Sequence, residues 1–250
     1  MVPKRLALFP GELSPLATFG TVIGMVFPVL MFPAAILFAL AELLIPELAR
    51  CAAAGSALRI RYLVRRGLQV AAIYGCLCGG ILYLCAEPLC LRLYESPLAG
   101  KYLRLYSLLA PMLYCDAITD AMIKGLGQQT ASVRYNILTS SMDVLFLFLL
   151  LPKYGMMGYF FSFLITHLIN FLLSIRRLLK IGGIKVPFYH PCMTCSACFF
   201  AVVGSALVTD VFLRLSAFVL LFLALLVLFG VLGRRDLAWL KGLINAKRPV

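Results

Sequence analysis

The sequence predicts an all-α protein, a polytopic transmembrane helix bundle of about seven spans, each near the ~20 residues a bilayer requires. Three observations predict it. Of 250 residues, 63% are hydrophobic and only 13% charged, more apolar surface than a soluble fold of this size can hide. The apolar residues fall into runs of similar length. Most Lys and Arg lie in short clusters between those runs, so the net charge of +13 fits membrane loops and not the continuous basic face that nucleic acid needs. No nucleic-acid partner is expected. Most of the nine Cys lie inside apolar runs, where Cys behaves as a small hydrophobe, and no disulfide framework can be read from them.

Residues 1–16 contain Lys4 and Arg5 but no apolar core of a leader peptide, and are read as an external loop. The first span covers Ala17 to about Leu48, and Pro28, Pro33 and Pro46 each favour a kink there because proline removes a backbone donor. A basic connector over 49–66 carries Arg50, Arg59, Arg61, Arg65 and Arg66. The second span runs from about Gly67 to Leu89, and EPLCLRLYESPLAGK, with both signs of charge and two prolines, reads as a loop. The third span covers about Tyr102–Leu126, the fourth Ser132–Leu151 and the fifth Gly155–Leu179. Only PKYG separates the last two, so they reverse tightly and lie antiparallel. After SIRRLLKIGGIKVP come spans at about Tyr189–Val208 and Phe212–Gly233, joined by a short turn around Asp210, and then the basic tail. The expected organisation is an external loop 1–16, a five-span core 17–180, two appended helices 181–233 and a cytoplasmic tail 234–250.

Alternating the loops across the membrane places sixteen Lys and Arg on one side and seven on the other, so the sixteen-residue side is cytoplasmic. The C-terminus is then inside and the N-terminus outside. An outside start with no preceding span is hard to insert, so at least one upstream helix is expected.

The wording YCDAITDAMIKGLGQQTASVRYN at Tyr114–Asn136, followed by LLLPKYGMMGYFFSFLITHLINFLLSIRRLLKI, resembles the stage V sporulation protein B group of the polysaccharide biosynthesis proteins. These belong to the multidrug/oligosaccharidyl-lipid/polysaccharide (MOP) exporter superfamily and are relatives of the lipid II flippases. The likeness extends upstream through GMVFPVLMFPAAILFALAELLIPELA and downstream to DLAWLKGLI. It implies a transporter, not an enzyme, that moves a lipid-linked saccharide across the cytoplasmic membrane by alternating access between two similar helix bundles. This chain matches the second bundle and the helices appended to it. It would therefore pair with a separately made N-terminal half, self-associate, or be an inactive remnant. A cation-coupled drug exporter and a non-transporting membrane scaffold are the alternatives.

Ionisable groups at membrane depth cost about 2.5–3.5 kcal/mol each and need a reason to persist. Asp116, Asp143 and His167, with Asn170 close by, fall near the middles of three consecutive spans. They are the candidate polar transport site, with a proton or Na+ as coupling ion and no other cofactor; plain interhelical hydrogen bonding fits them too. Asp120 lies four residues before Lys124, the favourable order for a helical ion pair. Glu42 is expected to anchor at the interface. The five arginines of 49–66 are candidate contacts for anionic lipid or lipid-linked diphosphate headgroups, and orientation signalling accounts for them equally. CMTCSAC at Cys192–Cys198 has no fourth ligand at a suitable spacing and opens an apolar span, so no metal site is expected there. GLGQQ follows a helix rather than a strand, which rules out dinucleotide binding, and its glycines are read as a helix cap.

Overall fold

Proline shapes the first span, though not at all three expected positions. The computed structural model describes residues 2–9, 14–183 and 189–233. Over these, α1 (Val2–Leu6) is followed by α2 (Pro15–Thr21), a π-helical turn (Val22–Val26), α3 (Phe27–Met31) and α4 (Ala34–Ala53). The arms Pro15–Met31 and Ala34–Ala53 bend by 58° at Phe32–Pro33. The π turn ends two residues before Pro28, whose missing N–H leaves the preceding turn one donor short. Pro46, expected to kink its helix, lies inside α4 without interrupting it. Residues 2–6, expected as part of a loop, form a helical turn that buries Leu6.

Two other expected loops are helical. The connector 49–66 is the end of α4, a turn at Ala54–Ser56 and the first turns of α5 (Ala57–Tyr94), so its arginines stand on helices. EPLCLRLYESPLAGK is helix except at Glu95 and Ser96: Glu95 closes α5 in the left-handed region at φ 51°, and Ser96 caps α6 (Pro97–Ser107) by accepting the Ala99 N–H. A bend at Leu108–Leu109 leads into α7 (Ala110–Gly125).

Helix α5 packs on α6 and α7 along a stripe of small residues at four-residue spacing, Gly67, Ala71, Gly75 and Gly79. A Cβ at Gly75 would lie 2.8 Å from the Pro111 Cα, and one at Gly79 would lie 3.0 Å from the Ser107 carbonyl. Close backbone approach of this kind is how helices associate where lipid removes the hydrophobic drive.

The long α8 (Gln129–Gly182) breaks at Gly155, whose φ of 56° and ψ of −139° suit glycine alone. Its two arms fold back on each other, with a Cβ at Gly158 only 2.6 Å from the Leu150 carbonyl. PKYG is thus the tight reversal the sequence calls for. Gly155→Ala is expected to cost about 1–3 kcal/mol in strain, raised by the Phe9 ring that lies 2.9 Å from the added methyl. Thermal unfolding in detergent checks this, and an unchanged midpoint counts against it.

The chain divides into two compact units, Met1–Val186 and Pro187–Val250. In the second, α9 (Tyr189–Ser205) and α10 (Val211–Leu228) pack together across a turn where Asp210 accepts the Leu213 N–H at 3.0 Å. Every regular element among the described residues is helical. Three helices are long and apolar enough to cross a membrane, Ala57–Tyr94, the apolar stretch Gln129–Ile181 and Val211–Leu228, and the bent first pair makes a fourth if it is one span. The basic tail 234–250 and Lys185 lie outside the described residues.

Candidate functional site

Helix α7 and the two arms of α8 bring polar residues together inside the first unit. On the first arm Ser132, Asn136, Thr139, Ser140 and Asp143 share one helical stripe. On the returning arm Ser162, Thr166 and Asn170 recur every four residues and are all buried. Asp116 on α7, only 8% exposed, accepts the Asn170 amide on both carboxylate oxygens, at 3.3 and 3.2 Å. His167 Nδ1 stands 3.5 Å from the same carboxylate, beyond good hydrogen-bond geometry and without another partner among the described residues. The His167 ring packs on Phe163, with centroids 4.2 Å apart. Asp143 is held separately: Ser162 donates its hydroxyl to Asp143 Oδ1 at 2.6 Å, and Thr166 Oγ1 lies 3.4 Å from that oxygen.

Two cavities adjoin these groups, one of about 280 Å³ beside Asp143 and one of about 210 Å³ beside Asp116 and Asp120. Asn136, His167 and Asn170 line both. The four residues singled out from the sequence therefore face one acidic groove, although no hydrogen bond among the described residues joins Asp143 to Asp116. None of the residues lining either cavity is Lys or Arg, so the groove favours a cation or a donor-rich neutral group over an anion. Asn170 Oδ1 is buried with no partner among the described residues, which leaves an acceptor free at the shared wall.

Sequence reasoning missed Asn136, Thr139, Ser140, Ser162 and Thr166. The signal was available as hydroxyl and amide residues at helical spacing within otherwise apolar runs. Asp120 pairs with Lys124 at 2.7 Å as expected and also accepts the Ser132 hydroxyl, tying α7 to α8 at the groove's end. Arg177 closes the hairpin below it by donating to Gln128 at 2.6 Å.

The arginine cluster is drawn largely into helix ends. Glu47 holds Arg50 at 3.3 Å and Arg59 at 2.6 Å, fixing the α4–α5 turn. Arg66 donates to Gln69 at 3.1 Å. The Arg61 guanidinium lies beside Gly183 at the end of α8, 3.3 Å from where a Cβ would be, where the helix dipole attracts a cation. Arg65 is exposed. No group of three or more potential metal ligands occurs among the described residues. Cys192, Cys195 and Cys198 lie on α9, and none is in a disulfide among the described residues.

These features define a class: an all-helical protein with several helices apolar and long enough to cross a membrane, carrying an acidic groove. No family model matches the chain, and neither a curated protein nor a solved structure matches it. The resemblance to the sporulation-type exporters rests on the quoted wording alone.

Proposed function

We propose that the chain is a membrane exporter or flippase subunit that moves lipid-linked oligosaccharide or polysaccharide precursors across the cytoplasmic membrane by alternating access, multi-pass with its C-terminus inside. The seven-span arrangement belongs to this reading: α8 contributes its two arms as separate spans, and α7 and α9, at 16 and 17 residues, stand at the short end of what a bilayer needs. The observation that carries the reading is the acidic groove, with Asp116, His167 and Asn170 on one cavity and Asp143 on the next, which the seven-span arrangement would put at membrane depth. Such groups mark ion and substrate paths because their burial in lipid is costly. Asp116 and Asp143 serve as the coupling site for a proton or Na+, and membrane lipids are the surrounding partners.

A second reading, a cation-coupled drug exporter, is favoured by one feature, the absence of Lys and Arg from the groove lining. Vesicles containing the full chain separate the two. Movement of a fluorescent lipid-linked sugar driven by an ion gradient is the expected result. Efflux of a lipophilic organic cation with no sugar-lipid movement would select the second reading, and inertness towards both would rule out transport by this chain on its own.

A further inference from the structure

The bend of the first span is held by side chains from two other helices. Pro33 supplies no N–H, and beyond the break the backbone resumes with long i→i−3 bonds, Ala35 to Phe32 at 3.3 Å and Ile36 to Pro33 at 3.4 Å. The Tyr114 hydroxyl on α7 donates to the Leu30 carbonyl at 2.8 Å, and the Tyr74 hydroxyl on α5 donates to the Pro33 carbonyl at 2.8 Å. One acceptor belongs to the arm before the break and the other to the break itself. The two rings stack, with centroids 6.1 Å apart and planes at 26°, so the hydroxyls act as a pair.

The same bend forms a wall of the groove. Met31, at the end of the first arm, and Phe38, in the second, both line the cavity beside Asp116, and Tyr114 lines it as well. A change in the angle between the arms therefore changes the distance between two walls of that cavity. Tyr114 lies two residues before Asp116 on α7, so one helix carries both the fastening and the carboxylate.

We propose that Tyr74 and Tyr114 are a latch on this bend, and that releasing it widens the acidic groove during transport. The inference rests on the transport reading of the groove. Tyr74 and Tyr114 are positioning residues: they hold the backbone that forms the wall and act on the groove through it. Phenylalanine at both positions keeps the stacked rings and removes only the two hydroxyls. The loss of two hydroxyl–carbonyl bonds, one buried and one half-buried, is expected to raise the population of the opened bend by about tenfold or more.

Hydrogen exchange followed by mass spectrometry tests this on the full chain in lipid nanodiscs. In the Tyr74→Phe/Tyr114→Phe variant, amides of residues 30–37 and 113–120 should exchange about tenfold faster, while those of α10 keep their wild-type rates. Each single variant should give a partial acceleration, which keeps the test readable if the double variant fails to insert. Tyr106→Phe is the control, because the Tyr106 hydroxyl is buried without a partner among the described residues and its loss should leave exchange unchanged. Unaltered exchange at the bend, or an equal acceleration over all helices, overturns the latch. A loosened bend in a chain that transports nothing keeps the fastening and sinks the transport reading. Active wild-type transport with an unaltered bend in the double variant does the reverse.

Discussion

Asp116→Asn is expected to cut gradient-driven transport by about tenfold or more, equivalent to about 1.4 kcal/mol for each decade, while exchange without an imposed gradient continues. The substitution keeps shape and volume but removes the charge. Both Asp116 oxygens accept the Asn170 amide, at 3.3 and 3.2 Å, and an asparagine would set its own amide nitrogen against that donor or against His167. One contact is then lost at a site only 8% exposed, where an unpaired polar group is costly. Asp116→Glu keeps the charge but adds a methylene to a packed wall, and should fall between the two. The measurement compares initial rates in vesicles under imposed proton and sodium gradients. Wild-type gradient-driven rates in Asp116→Asn would remove this carboxylate from the coupling step.

Gly75→Val is expected to have the largest effect on folding. Its Cβ would stand 2.8 Å from the Pro111 Cα and 3.4 Å from the Pro111 carbonyl, and neither atom can rotate away as a side-chain end could. The α5 and α7 backbones must separate, with an overpacking cost of about 1–3 kcal/mol and loss of close packing over the neighbouring turns. Cys78, buried beside the seam, should become open to maleimide, and the yield of monodisperse protein should drop. Gly20→Ala is the matched control because nothing lies within 4 Å of its added methyl. Equal behaviour of the two variants would mean that the α5–α7 seam is looser than its geometry implies.

Features set by local chemistry were legible in the sequence. The PKYG reversal needs a residue free to take a positive φ, and Gly155 supplies it. The Asp120–Lys124 pair follows from helical spacing, and the turn at Asp210 from its capping carboxylate. Features set by packing were less so. Pro46 removes a donor just as Pro33 does, yet α4 runs through it while the 58° bend falls at Phe32–Pro33, where Tyr74 donates to the Pro33 carbonyl and Tyr114 to the nearby Leu30 carbonyl. EPLCLRLYESPLAGK reads as a loop by composition, but Gly100 approaches the Glu87 Cα to 2.9 Å for a Cβ built on it and Arg104 pairs with Glu87 at 3.1 Å. Those contacts draw two helices together over a two-residue turn. Within the groove, ionisable residues stood out because charge is rare in apolar runs. Ser162 and Thr166, which hold Asp143, were hidden because hydroxyls in such runs usually bond to their own helix, as Thr166 does to the Ser162 carbonyl at 2.9 Å.

Helix α5 has 38 residues, so at a rise of about 1.5 Å per residue it is about 57 Å long, nearly twice the roughly 30 Å of bilayer hydrocarbon. In the spanning arrangement proposed above, its arginine-bearing first turns, tied to α4 through Glu47, would reach past the hydrocarbon, or the whole rod would lean over. In either case a sideways push on Arg59, itself clamped to Glu47, is delivered by a stiff lever to Gly75 and Gly79, where α5 meets its neighbours backbone to backbone. In that arrangement a load on the arginine end would reach the glycine seam along one continuous helix.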